Sequence, residues 1–322
     1  MSAASKPRFD ITIAGELNLD LILYGLPREL PPEREIIARD MALTLGASSA
    51  IVAHNLSALG NHVGFISRVG DDSFGQTAID RLSAAGVDVS RVRRSSDGTG
   101  SGLTVILHHG SSRNILTYLG TISQLRYEDL DLDYLCSARH FHLSSFFLQT
   151  ALRPQVAELF RTLKASGLTI SLDTNDDPDD LWEGLREVLP YVDVLLPNER
   201  EALKISGEQE LETAISRLAE MAPVVVVKLG PKGAIAQRGK ERFRSSAVSV
   251  DAVDTIGAGD SFDAGFLTQF VRGADLDVCL RFGNVAGALS TTKSGGTEAF
   301  LDRAHREQFL RENDSDRQIV QR

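Results

Sequence analysis

The chain predicts an α/β fold, a mostly parallel sheet with helices on both faces. Three features carry that expectation. The runs 9–15, Thr169–Leu172, 192–196 and Val224–Lys228 are apolar almost throughout, as strands buried on both faces are. Between such runs lie segments with apolar residues at helical spacing, such as 153–166 and 276–292. Each strand-like run ends in, or is followed within two residues by, Gly, Asn or Asp, which turn the chain at a strand's end. Strand and helix patterns alternate from Phe9 to Val271, the order of a parallel sheet covered on both sides.

With 322 residues the chain is long enough for one large α/β domain with an attached lid, or for two domains. An apolar content of 42% and a charged content of 24% are those of a soluble globule. The 34 basic and 44 acidic residues leave a net charge of -10, which argues against a nucleic-acid partner because a phosphate backbone would repel it. No apolar run approaches membrane-spanning length. Residues 1–10 are polar, with two basic side chains and no apolar stretch, unlike a secretory signal. Two cysteines, Cys136 and Cys279, make no disulfide framework, so the expected compartment is a reducing cytosol.

The most informative stretch is Asp254-Thr255-Ile256-Gly257-Ala258-Gly259-Asp260-Ser261-Phe262. It lies between a strand-like run, 247–253, and an apolar run, 264–271, so its glycines fall where a strand is expected to hand over to a helix. Gly257, Ala258 and Gly259 let the backbone bend and let an anion come close. A helix starting there leaves its first amides unpaired and points its positive dipole end at the same spot. That combination suits phosphate. Asp260 adds a carboxylate, which makes chemical sense if it takes a proton from a hydroxyl attacking the phosphate. A glycine turn with an N-capping aspartate would explain those residues taken singly. The whole string, however, closely resembles the C-terminal signature of the ribokinase-like carbohydrate kinases, the PfkB family, which reads Asp-Thr-x-Gly-Ala-Gly-Asp-x-Phe. The resemblance implies one ribokinase-like kinase domain with a small β-sheet lid, using ATP and Mg2+.

After the first strand come Glu16-Leu17-Asn18-Leu19-Asp20. Residues just past a strand's carboxyl end face the crevice of an open α/β sheet. Asn18 and Asp20 can point to one side of an extended segment, and a carboxamide with a carboxylate suits vicinal hydroxyls, though both residues also favour turns. Gly-x-x-Asn-x-Asp resembles the family's sugar-contacting opening and implies Asp20 and Asn18 as acceptor ligands. Residues 17–44 are proline-rich without a core-helix pattern, and 100–120 alternate about a Gly110-Ser111-Ser112 turn as a β-hairpin with one wet face. These are the segments the resemblance assigns to the lid, and family lids often pair into a homodimer. Arg113, beside that turn, either reaches a substrate or stands in solvent.

Residues 46–60 match part of the family's Gly-Gly-x-x-x-Asn run along the sugar site, with Gly46 and Ser48 in place. Ala47 replaces the second glycine and Ile51 the asparagine, so fewer hydrogen bonds to the acceptor are expected there. Residues 70–77 have P-loop spacing, but Gln76 stands where the phosphate-binding lysine must be, so that reading fails. They resemble instead the family's Val-Gly-x-Asp-x-x-Gly turn into a helix, with Asp72 a candidate substrate-side residue. His140 and His142 share a strand face, yet no carboxylate or cysteine stands at metal-ligand spacing, so a buried layer is the better reading.

Asp173 and Asn175 end another strand at the crevice, where the family has Asp-x-Asn. Asn198 and Glu201 share a face of a first helical turn, either as N-cap and first-turn acid or, by the resemblance, as an outer-shell pair for Mg2+ and its waters. Lys228 is placed to pair with phosphate, and Gly230 and Gly233 resemble the Gly-x-x-Gly turn near the triphosphate. Asn284 resembles the residue on the adenine side, and 293–297 the loop that closes the pocket. Relatives often hold a monovalent cation, such as K+, between that loop and the region of Asp254 and Ile256. Residues beyond about Asn313 are polar and expected to fray.

The expected reaction is transfer of the ATP γ-phosphoryl group to a primary hydroxyl of a sugar or sugar-like alcohol. Asp260 is the expected general base, with the amides of Gly257, Ala258 and Gly259 stabilising the transferring charge. A nucleoside kinase shares this machinery and would need an apolar base-stacking wall, with which Ile51 is compatible. A phosphosugar kinase would need extra cations near the lid, for which Arg113 is a candidate. A non-catalytic sugar sensor is the reading from another class, and the intact Asp260 stands against it.

Overall fold

A computed structural model describes residues 7–110 and 112–313, so most of the segment read for a signal, and the chain beyond Asn313, lie outside them. The elements are, in order, β1 (Phe9–Ala14), β2 (Leu19–Tyr24), β3 (Asp40–Leu45), α1 (Ser48–Ala58), β4 (Val63–Val69), α2 (Ser73–Ala84), β5 (Asp88–Arg94), β6 (Leu103–His109) and β7 (Ser112–Tyr118). Then follow α3 (Leu132–Cys136), β8 (Ala138–Leu143), α4 (Val156–Ala165), β9 (Thr169–Leu172), β10 (Val194–Leu195), α5 (Glu199–Ser206), α6 (Leu211–Leu218), β11 (Val224–Lys228), β12 (Ala234–Arg238) and β13 (Glu241–Ser245). Four helices close the chain: α7 (Ala258–Phe270), α8 (Leu276–Thr291), α9 (Glu298–Leu301) and α10 (Arg303–Asn313).

The larger sheet has the order β13-β12-β11-β10-β9-β8-β1-β4-β5. All its strands from β11 through β5 run parallel, and β12 and β13 return antiparallel at one edge. The chain builds outward from β1 to β5 and then from β8 to β11 on the other side. The order therefore reverses between β1 and β8, and the carboxyl ends beside such a switch form a ligand crevice.

Alternation along the strands feeds two cores. Val225 and Val227 of β11 pack with Leu159 and Phe160 of α4 and Ile215 of α6. Val224 and Val226 pack into the opposite layer with Ala53 of α1, Leu82 of α2, Phe266 of α7 and Leu280 of α8. Helices on both faces of a mostly parallel sheet are thus what the apolar runs demanded.

The smaller sheet has the order β3-β2-β6-β7, with β2 and β6 parallel and β6 and β7 an antiparallel hairpin. Ile22 of β2 and Ile106 of β6 pack on Ile256, so this lid lies against the signature segment. One expectation fails. Residues 247–253 form no strand: β13 ends at Ser245 as the sheet's edge, and the β-branched side chains of Val248 and Val250 pack instead on a helical cluster around Leu289 and Phe300.

Candidate active site

The start of α7 is shaped by glycine. Gly257, its N-cap, sits at φ 70°, and a Cβ there would come within 2.6 Å of Gly296 Cα. Both the dihedral and the close approach require glycine. Among the described residues the amides of Gly257 and Gly259 have no protein acceptor, whereas the amide of Ala258 points at Thr255 O at 3.3 Å. Asp260 lies in the first turn at 8% exposure. Burial, and then the charge of Asp173, push its carboxyl up to about 6, while Lys228 and a hydrogen bond from Ser48 pull the other way. A base with that affinity is ionised at neutral pH and still able to hold a proton.

A second buried carboxylate shares this space. Asp20 is 6% exposed and is pushed up to about 7, first by burial and then by the charge of Asp260. Asn18 Nδ2 donates to Leu19 O at 3.0 Å and lies 3.3 Å from Asp20 Oδ1 and 3.4 Å from Thr104 Oγ1. Gly46 packs against this pair, and any Cβ on it would collide with the Asp20 carboxyl.

Ser48 opens α1 next to Ala47, which keeps a glycine-like φ of 64° despite its side chain. Ala47 offers α1 no side-chain cap. Buried Glu16 serves in its place, a partner that no local pattern announces, accepting from Ser49 N at 3.1 Å and Ser49 Oγ at 2.8 Å. Ile51 does not stand free at the acceptor. It fills the gap between the signature and the 293–297 loop, where a Cβ on Gly296 would come within 2.8 Å of its Cδ1. Polar work on that face falls to Asn55, one turn on, which donates to Ser261 Oγ at 2.9 Å and Gly296 O at 3.0 Å.

Lys228 ends β11 beneath Gly259. Its Nζ is 2.7 Å from Asp173 Oδ2 and 3.1 Å from Asp263 Oδ2. Burial alone would lower the Lys228 ammonium's affinity for its proton, but the two carboxylates outweigh it and raise it. Burial likewise pushes Asp173 up, but Lys228, together with hydrogen bonds from Asp263 and the Asn175 amide, more than reverses that. Asp263 ends well above the usual carboxylate range, through burial and the neighbouring Asp173, despite Lys228. Lys228 is therefore a strut under the anion site, with its charge already engaged. Sequence alone could not reveal this, because Asp263 lies 35 positions and Asp173 55 positions away.

Asn198 and Glu201 form a reciprocal capping box on α5, with Asn198 N donating to Glu201 Oε2 at 2.8 Å and Glu201 N to Asn198 Oδ1 at 2.9 Å. Burial, and then Asp173, push Glu201 up to about 7. A cleft of about 720 Å3 opens beside them, lined by Asn198, Lys228, Leu229 and α5. Gly233, at φ 89°, packs so closely that a Cβ would collide with Ser245 O, while Gly230 faces open space. Asn284 Nδ2 donates to Ser245 O at 3.1 Å and Ser246 O at 3.2 Å.

The lid is latched to the signature. Tyr24 OH donates to Asp254 Oδ2 at 2.9 Å, and the Asp254 carboxyl also accepts from the amides of Ile256 at 3.0 Å and Gly295 at 3.2 Å. Arg113 Nη1 donates to Thr255 Oγ1 at 3.0 Å. Asp72 spends its oxygens on Gly75 N at 2.8 Å and Ser101 N at 2.7 Å, tying α2 to the root of the lid hairpin. His140 and His142 are fully buried and bonded to hydroxyls of Thr169, Ser171 and Ser144, each at 2.7 Å.

The profile of the pfkB family carbohydrate kinases matches residues 8–303. An ATP-dependent ribose-1-phosphate kinase of Halopiger xanaduensis is 32% identical over 286 residues, covering 89% of this chain and 93% of that protein. A ribokinase of Haemophilus influenzae is 27% identical over 327 residues, covering 94% and 99%. A crystal structure of an E. coli protein assigned as a Ribokinase II, in complex with ATP and Mg2+, superposes with a TM-score of 0.83 at 26% identity, covering 94% and 99%.

Proposed function

The chain belongs to the pfkB family of carbohydrate kinases, and we propose that it transfers the γ-phosphoryl group of ATP to a primary hydroxyl of a sugar or sugar-like alcohol. Its class is that of an ATP-dependent carbohydrate kinase. The observation that carries the finer reading is the convergence of two buried carboxylates, Asp20 and Asp260, at the glycine-built start of α7. Asp20 and Asn18 hold the acceptor's hydroxyls, and Gly46 leaves them room. Asp260 takes the proton of the reacting hydroxyl. Unbonded amides at Gly257 and Gly259 face the transferring phosphoryl group, and that of Ala258 joins them once its long bond to Thr255 yields. A positioned base contributes about 10²–10⁴-fold to the rate.

The oxygen donors of Asn198 and Glu201 would hold the outer shell of Mg2+, which when bound would neutralise charge on the nucleotide phosphates. Lys228 supports the phosphate site through Asp173 and Asp263. The turn at Gly230 and Gly233 and the buried Asn284 shape the nucleotide side. Asp254, Ile256 and the 293–297 loop frame a place for K+. Homodimerisation through the lid, by way of the exposed Ile115, Leu116 and Tyr118 of β7, and a cytosolic location complete the proposal. One observation favours a phosphorylated acceptor as a second reading: Arg113 already reaches the signature segment from the lid.

The test is an ADP-release assay over neutral sugars, sugar alcohols, nucleosides and phosphosugars, each paired with its deoxy analogue lacking the primary hydroxyl. Turnover on at least one member, and none on its deoxy analogue, is expected. Equal turnover on both analogues would reject the primary-hydroxyl assignment.

A further inference from the structure

Ser145 and Asn175 follow the adjacent strands β8 and β9 at the catalytic edge, and both are non-glycine residues at φ 52°. Backbone held in that region marks sites whose surroundings enforce it. Asn175 joins the two ends. Its Oδ1 accepts from Ser145 N at 2.7 Å and Ser145 Oγ at 3.3 Å. Its Nδ2 donates to Ser48 Oγ at 3.0 Å. Because the Ser48 oxygen accepts from Asn175, its own proton is left to be given away, and Ser48 is the uncharged side chain that lowers the proton affinity of the Asp260 carboxyl. Beneath this bridge, His142 links Ser171 of β9 to Ser144 at the end of β8, which holds the two strand ends in register.

We propose that Asn175, anchored by Ser145, is a positioning residue for the phosphoryl-transfer base, orienting the Ser48 hydroxyl so that it donates to Asp260. The inference rests on Asp260 being that base. The charged groups facing Asp260 are Asp173 beyond β9, Lys228 at the end of β11, Glu16 beyond β1, Asp20 on β2 and Asp263 one turn along α7. Within that set Ser48 is a neutral donor, aimed by a single side chain. Releasing it removes a contact that favours the ionised base, so the base binds its proton more tightly and fails at a higher pH.

The experiment compares Asn175→Ala, Asn175→Gly, Ser48→Ala and the double variant with the wild type and Asp260→Asn in the full chain. Glycine suits the positive φ, so Asn175→Gly removes the side chain without backbone strain. Each single variant is expected to lower kcat by about tenfold or more, within the range of a mispositioned base. The acidic limb of the kcat profile should move up by about half a pH unit or more. The double variant should be no worse than the poorer single, because both break one relay. Additive losses, or an acidic limb that stays in place while kcat falls, would overturn the proposal. If Asp260→Asn keeps wild-type turnover, the base assignment itself falls, and the proposal with it.

Discussion

Replacing Lys228 with methionine tests how the floor of the anion site is held. The ammonium compensates Asp173 and Asp263, which are 2% and 0% exposed in their side chains. Methionine keeps the apolar stem but removes the charge, leaving two carboxyls buried side by side. Breaking a buried pair in this way costs about 3–5 kcal/mol. Unfolding entropy of ~2.1 cal/mol/K per residue over 322 residues gives ~0.7 kcal/mol/K, so the melting temperature should fall by about 4–7 °C. The pH dependence has a definite sign. In the wild type the depressed carboxyl of Asp173 contributes stability that is present above its unfolded value and lost as pH falls. Without Lys228 burial raises Asp173 too and lifts Asp263, already high, further, so ionising them costs more stability as pH rises above about 4. The gap between the variant and the wild type should therefore widen from pH 4 to pH 8 in calorimetric melts. A loss under about 1 kcal/mol, or a gap that narrows as pH rises, would refute the reasoning.

Two further predictions follow from local geometry. Ala47→Gly should stabilise the chain, because a φ of 64° strains alanine by about 1–3 kcal/mol while glycine's added unfolded-state freedom costs about 0.4–1 kcal/mol; a small rise in melting temperature checks it, and a fall would show that the turn is not strained. The acidic limb of kcat should lie near pH 6, with activity falling tenfold per unit below it, since Asp260 must be ionised to accept a proton; a profile flat down to pH 4 would contradict this.

Much of the layout was legible in the chain because it depends on local pattern. The valines of β11 and the apolar runs at β1 and β9 spell buried parallel strands, and the glycines before Asp260 spell a helix start. The same β-branched logic misled at 247–253, where Val248 and Val250 pack on helices because the sheet had already ended at β13. What could not be read depends on which distant residues meet. The partners of Lys228 come from the end of β9 and from α7, and the cap of α1 comes from Glu16. Ile51 was visible as a departure from the family pattern, but its burial against Gly296 requires the loop after α8 to be in place. Asn198 and Glu201 were visible as a pair, and their capping box is compatible with either reading of them.

One buried side chain, Asp260, must accept the hydroxyl's proton as phosphate moves. Replacing Asp260 with asparagine keeps the shape and removes that capacity. Single-turnover phosphoryl transfer, measured beside ATP binding by titration calorimetry, addresses it directly. Nucleotide affinity should remain within a few fold while transfer slows by about 10²–10⁴-fold at pH 7 and above, with the gap shrinking below pH 6. Transfer at the parent rate with ATP still bound would contradict the account.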